Sequence, residues 1–381
     1  MDTLDRGRVL GFFRQVTSRF PVRSGLSVLV VTHLIPDRPF FIEALSDVLD
    51  VCSVFAKPKS IHPNVKNWLA HKYPIDEMSR GLLATDRQAI ALIERRAGGA
   101  PLIILDIGGY FAPTINYIAK HYSGKLVGVV EDTENGHRRY LSVRNLACPI
   151  VSVARSPLKA AEDFLVGESI VFSVEALLRE QGDILHGRTA CVIGYGRLGS
   201  SIASLLHDRR VRTVVYDIDP TKRVIAMAHG FTSPPTLSES LHDAGLVFCA
   251  TGNVALKAED FRLLEPGAYV ATVTSSDDEL QFDDVKNAYR ERHTADYITK
   301  YTGADHHFYL LNRGQAVNFI HGASVGPFIY LVHGEILASV ARLASGKMVA
   351  GIHENDGEIH EAVAESWYQI FRRHVPIRVS S

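Results

Sequence analysis

At 381 residues and 42.0 kDa the chain exceeds what one ordinary hydrophobic core serves, so two domains are expected. Hydrophobic residues make up 46% and charged residues 22%, a globular balance that excludes a disordered or fibrous chain. Lys plus Arg number 41 against 42 Asp plus Glu, and the resulting charge of -1 supplies no electrostatic basis for a nucleic acid or membrane partner. Cys52, Cys148, Cys191 and Cys249 are far apart, without a CxxC or a His at ligand spacing. Neither a disulfide framework nor a metal site is therefore expected, and a reducing cytoplasm fits. The opening MDTLDRGRVLGFFRQ lacks the apolar stretch of a secretory signal. No run approaches the ~20 apolar residues of a membrane span.

In chain order, Gly25–Val31 (GLSVLVV) reads as a buried strand and Pro39–Leu49 as an amphipathic helix. Leu102–Leu105 and Lys125–Val130 read as two further buried strands. Strands alternating with helices build a parallel sheet, because parallel neighbours need a long crossover. His33 follows the first strand, and Glu131 with Asp132 follows the third. Ligands of open α/β sheets bind outside the carboxyl ends of strands, which singles these residues out. Gly167–Leu185 reads as a long helix leading into a second domain. After it come a strand at Thr189–Ile193, a helix at Ser200–His207 and a strand at Arg212–Tyr216, with two more strands at Leu246–Ala250 and Ala268–Thr272. The chain then turns helical at Pro327–Ala344 and again at Ile359–Phe371.

Between the strand Thr189–Ile193 and its helix stands Gly194-Tyr195-Gly196-Arg197-Leu198-Gly199, and Asp217 closes the next strand, 18 positions after Gly199. A GxGxxG alone is weak; strand before, helix after and acid beyond make it a dinucleotide fingerprint. Gly194 allows the tight turn, Gly196 lets backbone approach a pyrophosphate, and Gly199 lets helix pack on strand. Arg197 and Leu198 stand in the turn just before the helix, whose N-terminal N–H groups meet the phosphate charge. Asp217 is placed to accept from ribose hydroxyls and would repel a 2′-phosphate, which favours NAD over NADP. Thr251, Gly252 and Asn253, ending a later strand, suit a backbone contact to the same cofactor or an ordinary turn. The architecture expected is α/β in two domains: a Rossmann NAD-binding domain (167–325) inserted in a second doubly wound α/β substrate domain (1–166), to which C-terminal helices (326–381) return.

The strings Gly128–Gly136 (GVVEDTENG), Lys159–Ser169 (KAAEDFLVGES), His186–Gly199 (HGRTACVIGYGRLG), Asp217–Pro220 (DIDP), Ala250–Asn253 (ATGN) and Gly314–Asn318 (GQAVN) occur in order. Together they resemble the S-adenosylhomocysteine hydrolase family over about Val28 to Leu343. The resemblance implies a tightly held NAD, transient oxidation of a nucleoside 3′ carbon, removal of the 4′ proton and β-elimination at the 5′ position. It implies that Lys159 and Asp163 contact the ribose hydroxyls and assist the oxidation. His33 would handle the proton or water at the 5′ position, and Asp132 would be an active-site acid. Asp37 would read the base edge, and Asp106 and His321 join the substrate contacts. Thr133, Glu134 and Asn135 would touch the nicotinamide ribose, and Asn318 the nicotinamide amide.

The departures from the family pattern are specific. Its DDGGD is Asp106-Ile107-Gly108-Gly109-Tyr110 here, the Asn after the Lys/Asp pair is Phe164, and the His of GHFD is Ser275. The later GHPSF is Val325-Gly326-Pro327-Phe328, with His321 and His333 nearby, and the family's Lys- and Tyr-bearing tail has no counterpart in RRHVPIRVSS. These losses gather at the 5′ end of the substrate, whereas the oxidation pair and NAD fingerprint are spared. The expectation is a divergent member acting on an adenosine-type nucleoside, as a hydrolase or as a hydro-lyase that leaves a 4′,5′-alkene. Its partner would be a small-molecule nucleoside and its state a homodimer or homotetramer, with no metal. Two other readings stand beside it: an NAD-linked 2-hydroxyacid-type dehydrogenase, and a non-catalytic NAD-binding regulatory relative.

Overall fold

The computed structural model describes residues 3–23, 25–83, 85–274, 279–282 and 284–372. Ser275 and the residues after Arg372 fall outside them. The chain separates into two compact units, Met1–Ala160 with Gly326–Ser381, and Ala161–Val325.

In chain order the strands of the first unit are β1 (Ser27–Leu34), β2 (Asp50–Ile61), β3 (Ile75–Glu77), β4 (Leu102–Asp106), β5 (Leu126–Glu131) and β6 (Pro149–Ser152). The second unit supplies β7 (Thr189–Ile193), β8 (Arg212–Tyr216), β9 (Ala244–Cys249), β10 (Ala268–Thr272), β11 (Arg290–Ala295), β12 (Ile298–Thr302) and β13 (His307–Leu311). On its return to the first unit the chain adds β14 (Gly351–His353).

The first sheet runs β14-β6-β5-β4-β1-β2-β3, and every pairing in it is parallel. The strand order reverses at β1, which lies between β4 and β2. A parallel sheet is covered on both faces, so its strands read as unbroken apolar runs. SVLVV in β1 and LIIL in β4 are accordingly buried throughout.

Two helices of the first unit go beyond the sequence expectations. Thr3–Arg19 is a helix that buries Val9, Phe12, Phe13 and Val16, and Phe13 sets its ring edge-on to Tyr330 at 5.7 Å. The apolar spacing is helical, though by charge alone the segment looked featureless. Gly326–Ala344 is by length and mean hydropathy able to cross a membrane, although His333, Glu335 and Arg342 interrupt its apolar residues, and most of it is buried. A Cβ on Gly334 within it would stand 2.8 Å from the Phe12 ring, so the two helices meet closely.

The second sheet runs β11-β12-β13-β10-β9-β7-β8, parallel from β13 to β8, with β11 and β12 added antiparallel. The long helix is Pro157–Glu180, ten residues earlier at its start than Gly167. Its opening turns (PLKAAED) carry no buried apolar stripe, so periodicity failed to reveal them. Within the second unit Gly167 lies against Ser201, whose Oγ would be 2.2 Å from an added Cβ. The helix Arg197–Asp208 starts three residues before the expected Ser200.

Candidate functional site

The reversal of strand order in the first sheet places the carboxyl ends of β1, β4 and β5 side by side. β1 continues to Leu34, so His33 lies within the strand rather than after it. His33 Nδ1 is 2.6 Å from Ser60 Oγ, whose hydroxyl also reaches the Lys57 carbonyl. Burial, reinforced by the positive charges of Lys57, Arg38 and Lys159, keeps the His33 imidazole well below its ordinary pKa and therefore neutral. Asp37 caps the entry to the helix Arg38–Ser46. Its Oδ2 accepts from Arg38 Nη1 at 2.7 Å, and its buried Oδ1 has no hydrogen-bond partner among the described residues.

Asp106 and Glu131 end β4 and β5 and serve the loop between strand and helix. Asp106 accepts from the Tyr110 and Phe111 amides (3.2 and 3.0 Å) and from the Tyr140 hydroxyl (2.8 Å). Glu131 accepts from the Gly108 and Gly109 amides (3.0 Å each) and from the amide and hydroxyl of Thr133 (2.7 Å each). Burial, then the charge of Asp106, pushes Glu131 up to about 8. A Cβ at Gly136 would lie 2.0 Å from the Glu131 carboxyl carbon, which explains glycine there. The carboxylate of Asp106, expected among the substrate contacts, is thus engaged by its own loop.

Asp132, one residue beyond β5, faces Lys159, with Nζ to Oδ1 at 3.2 Å and side chains only 12% and 18% exposed. A small cavity of about 20 Å³, room for one water, is lined by Thr32, Arg38, Phe41, Asp106, Asp132 and His333 among others. His333 is 3% exposed and stacked on Phe41 at 4.3 Å, and its buried Nδ1 has no partner among the described residues. Burial, with Arg38 and Lys159, keeps it neutral. His321, the histidine counted with the substrate contacts, lies in the other unit, exposed, 3.0 Å from Ser173 Oγ. Within the first unit the structure therefore groups His33, Asp37, Asp132 and Lys159 with His333 and Arg38. Arg38 and Lys57 had no signal in the sequence, because each sits where an ordinary surface cation would. His333 was visible only as a histidine close to a lost one.

Thr133, Glu134 and Asn135 also belong to the first unit. Thr133 caps the helix Glu134–Leu141 by accepting from the Gly136 amide at 3.1 Å. Burial opposes ionisation of Glu134, yet Arg155 and Arg138 hold its carboxyl down to about 2.

In the second unit, Gly194 has φ +97°, and a Cβ there would meet the Ala250 carbonyl at 2.6 Å. A Cβ on Gly199 would stand 1.8 Å from the Gly194 carbonyl, whereas one on Gly196, the N-cap, would meet nothing within 4 Å among the described residues. Backbone thus closes the turn on one side and leaves it open on the other, where Arg197 and Leu198 begin the helix. Asp217 is oriented by the Tyr195 and Asp219 amides at 2.6 and 2.9 Å. Glu279, 1% exposed, was missed by the sequence reading. Its carboxylate accepts from the amides of Thr251 and Gly252 (3.1 Å each), Val273 (3.2 Å) and Thr274 (3.3 Å), and so holds the Thr251–Asn253 loop. Asn318 is buried, and its Oδ1 has no partner among the described residues. An open glycine turn at a helix N-terminus, an oriented carboxylate and an unsatisfied buried amide oxygen fit a nicotinamide dinucleotide.

Two expectations follow from this geometry. Asp217→Gly should weaken NAD binding about tenfold and relax discrimination against NADP, as titration with both dinucleotides would reveal. Burial pushes Glu279 up to about 7 from 4.5. The fold binds this proton more tightly than the unfolded chain does. Stability from this group is therefore full below 4.5 and is lost as pH rises towards about 7. The melting temperature of the parent protein minus that of Glu279→Gln should fall across this window and level off above it.

A parallel sheet with an inserted Rossmann unit and a fitted cofactor cradle define an NAD-binding α/β enzyme. Residues 164–324 match the family model described as S-adenosyl-L-homocysteine hydrolase, NAD binding domain. The chain is 22% identical over 378 residues to an S-inosyl-L-homocysteine hydrolase of Methanopyrus kandleri, covering 95% of this chain and 87% of that one. It is 31% identical over 177 residues to an adenosylhomocysteinase of Thermotoga maritima (45% and 43% covered). It is 25% identical over 287 residues to one of Nostoc sp. (72% and 66% covered). The second unit thus matches the NAD-binding domain of S-adenosyl-L-homocysteine hydrolases, and the chain as a whole is similar to enzymes of that kind. It is an S-adenosylhomocysteine hydrolase-like enzyme and its cofactor is NAD.

Proposed function

We propose that this enzyme acts on an adenosine-type nucleoside, oxidises the ribose 3′ carbon transiently and eliminates the 5′ substituent, as a hydro-lyase or a hydrolase. The observation that carries the reading is the buried Lys159–Asp132 pair at 3.2 Å, at the carboxyl end of β5 in the unit that also holds the neutral His33. NAD, when bound, supplies a reversible two-electron acceptor, so the net reaction needs no outside oxidant.

The chain's own residues handle the protons. The Asp132 carboxylate accepts the 3′ hydroxyl proton, while the Lys159 ammonium stabilises the developing alkoxide. Asp163, one helical turn beyond Lys159, accepts a hydrogen bond from a ribose hydroxyl. Oxidation at the 3′ carbon acidifies the neighbouring 4′ C–H. Neutral His33 takes that proton, becomes imidazolium and gives it to the leaving 5′ oxygen, so the C5′–O bond breaks as the 4′,5′ double bond forms. Three cations around His33 make its imidazolium a strong acid, suited to passing the proton on at once. Asp37 Oδ1, buried and unpartnered among the described residues, accepts from a base N–H.

The test is incubation with adenosine and inosine nucleosides in deuterated water. Deuterium at the 4′ carbon is expected, with release of a 4′,5′-unsaturated nucleoside if the enzyme is a hydro-lyase and return of 4′-deuterated nucleoside if it also adds water; no exchange with any nucleoside while NAD is bound would sink the proposal. His33→Asn should suppress exchange about a hundredfold. In the parent protein the acid limb of the exchange rate should lie well below pH 6.5, since His33 stays neutral there.

A further inference from the structure

We propose that Ser156 and Glu335 are positioning residues for Lys159: Glu335 holds the Ser156 hydroxyl, and Ser156 fixes the opening turn of the helix Pro157–Glu180, from which the Lys159 ammonium meets Asp132. All four residues lie in the first unit. The helix Pro157–Glu180 belongs to that unit only as far as Ala160. Its first turn therefore needs anchors within the first unit if Lys159 is to stay 3.2 Å from Asp132. Ser156 supplies one. It directly precedes the helix, and its Oγ accepts from the Leu158 amide at 3.1 Å, the bond by which a capping serine starts a helix. The same hydroxyl donates to Glu335 Oε2.

Glu335 lies in the helix Ile329–Ala344 and is 1% exposed. A buried carboxylate is costly unless donors surround it. Its Oε1 accepts from Asn355 Nδ2 at 3.0 Å and from His360 Nε2 at 3.1 Å. Asn355 Nδ2 also donates to Ser339 Oγ at 2.8 Å, and the Ser339 hydroxyl donates to the Glu335 carbonyl at 2.8 Å. The carboxylate is thereby tied to its own helix, to the segment that follows and to the helix Gly357–Phe371, which carries His360. Capping alone asks only for the Ser156 oxygen. The buried carboxylate adds a fixed direction for that hydroxyl, and a reacting group held to within about 0.5 Å requires such support. The bearing on turnover rests on the role given to Lys159 above; the placing of its ammonium does not.

The full chain with NAD bound is the material for the test. The nitrogen NMR signal of the Lys159 ammonium, identified by its absence from Lys159→Met, reads the placement directly. Ser156→Ala should move that signal or broaden it away, lower kcat for 4′ exchange on adenosine about tenfold and leave KM within about twofold. Ser156→Thr, which keeps the hydroxyl, should restore both signal and rate. In the Lys159→Met background Ser156→Ala should lower the residual exchange no further. Glu335→Gln, which exchanges the carboxylate for a neutral acceptor, should move the signal the same way but less far; a parental signal there overturns the part given to Glu335. An unchanged Lys159 signal in Ser156→Ala overturns the proposal, and so does an equal loss of exchange with and without Lys159. Should the alanine variant not fold, Ser156→Cys, which fills the space with a weak donor, is judged by the same two criteria. If Lys159→Met leaves exchange intact, or adenosine shows none, the nucleoside mechanism fails and the ammonium signal alone decides the positioning: moved by Ser156→Ala it stands, unmoved it falls.

Discussion

Lys159→Met is expected to lower 4′ proton exchange and turnover about a thousandfold, while the protein stays folded and keeps its NAD. The variant removes the ammonium 3.2 Å from Asp132 and leaves a mostly buried carboxylate without that partner. Removing one member of a buried pair is costlier than removing both, because the remaining charge is left desolvated. Without the ammonium, the alkoxide that develops from the 3′ hydroxyl also loses its stabilising positive charge. Asp132→Asn should cost about as much activity, and the double variant no more than either alone, since the two residues act as one acid–base unit. Lys159→Arg keeps the charge but not the compact ammonium geometry, and should restore stability without restoring rate. Exchange rates by NMR, dinucleotide released on denaturation, and melting curves separate these outcomes. A Lys159→Met protein with parental turnover would remove the pair from the mechanism.

Gly199→Ala should abolish retention of NAD. Its added methyl carbon would lie 1.8 Å from the Gly194 carbonyl oxygen, so the turn after β7 has to open or the helix Arg197–Asp208 has to move off its strand. Either response misplaces the amides that face the pyrophosphate. Gly196→Ala meets nothing within 4 Å among the described residues. With no described residue in its way, it should fold normally and weaken NAD through contact with the dinucleotide. The prediction is a contrast: Gly199→Ala melts lower and carries no dinucleotide, whereas Gly196→Ala melts with the parent and binds NAD more weakly. Equal retention of NAD by both variants would contradict the cradle described here.

Much of this architecture was legible before any coordinates. Runs such as LIIL in β4 and TACVI in β7 are apolar throughout because parallel strands are covered on both faces. The glycine spacing after β7 and the acid ending β8 are local requirements of backbone shape and charge, and local requirements leave marks in local sequence. The helix Thr3–Arg19 carries its mark in Val9, Phe12, Phe13 and Val16, spaced among charged residues so that they share one buried face.

Other features carried no local mark. Glu279 holds the Thr251–Asn253 loop from 28 residues away, and in sequence it is one acid in an acidic stretch. The candidates at the end of the first sheet were separated only by packing. Asp106 and Glu131 turn to their own glycine loop, whereas Asp132 turns to Lys159. His321 is exposed against Ser173, whereas His333 is buried against Phe41.

By itself the sequence determined the alternation of strand and helix and the dinucleotide turn, because each depends on residues close together in the chain. Only the tertiary structure decided which ionisable groups meet, since hydrogen-bond partners and burial are set by residues brought together from distant segments. Those partners and that burial decide which carboxylates and imidazoles can exchange protons with a ligand and which only hold the loops in place.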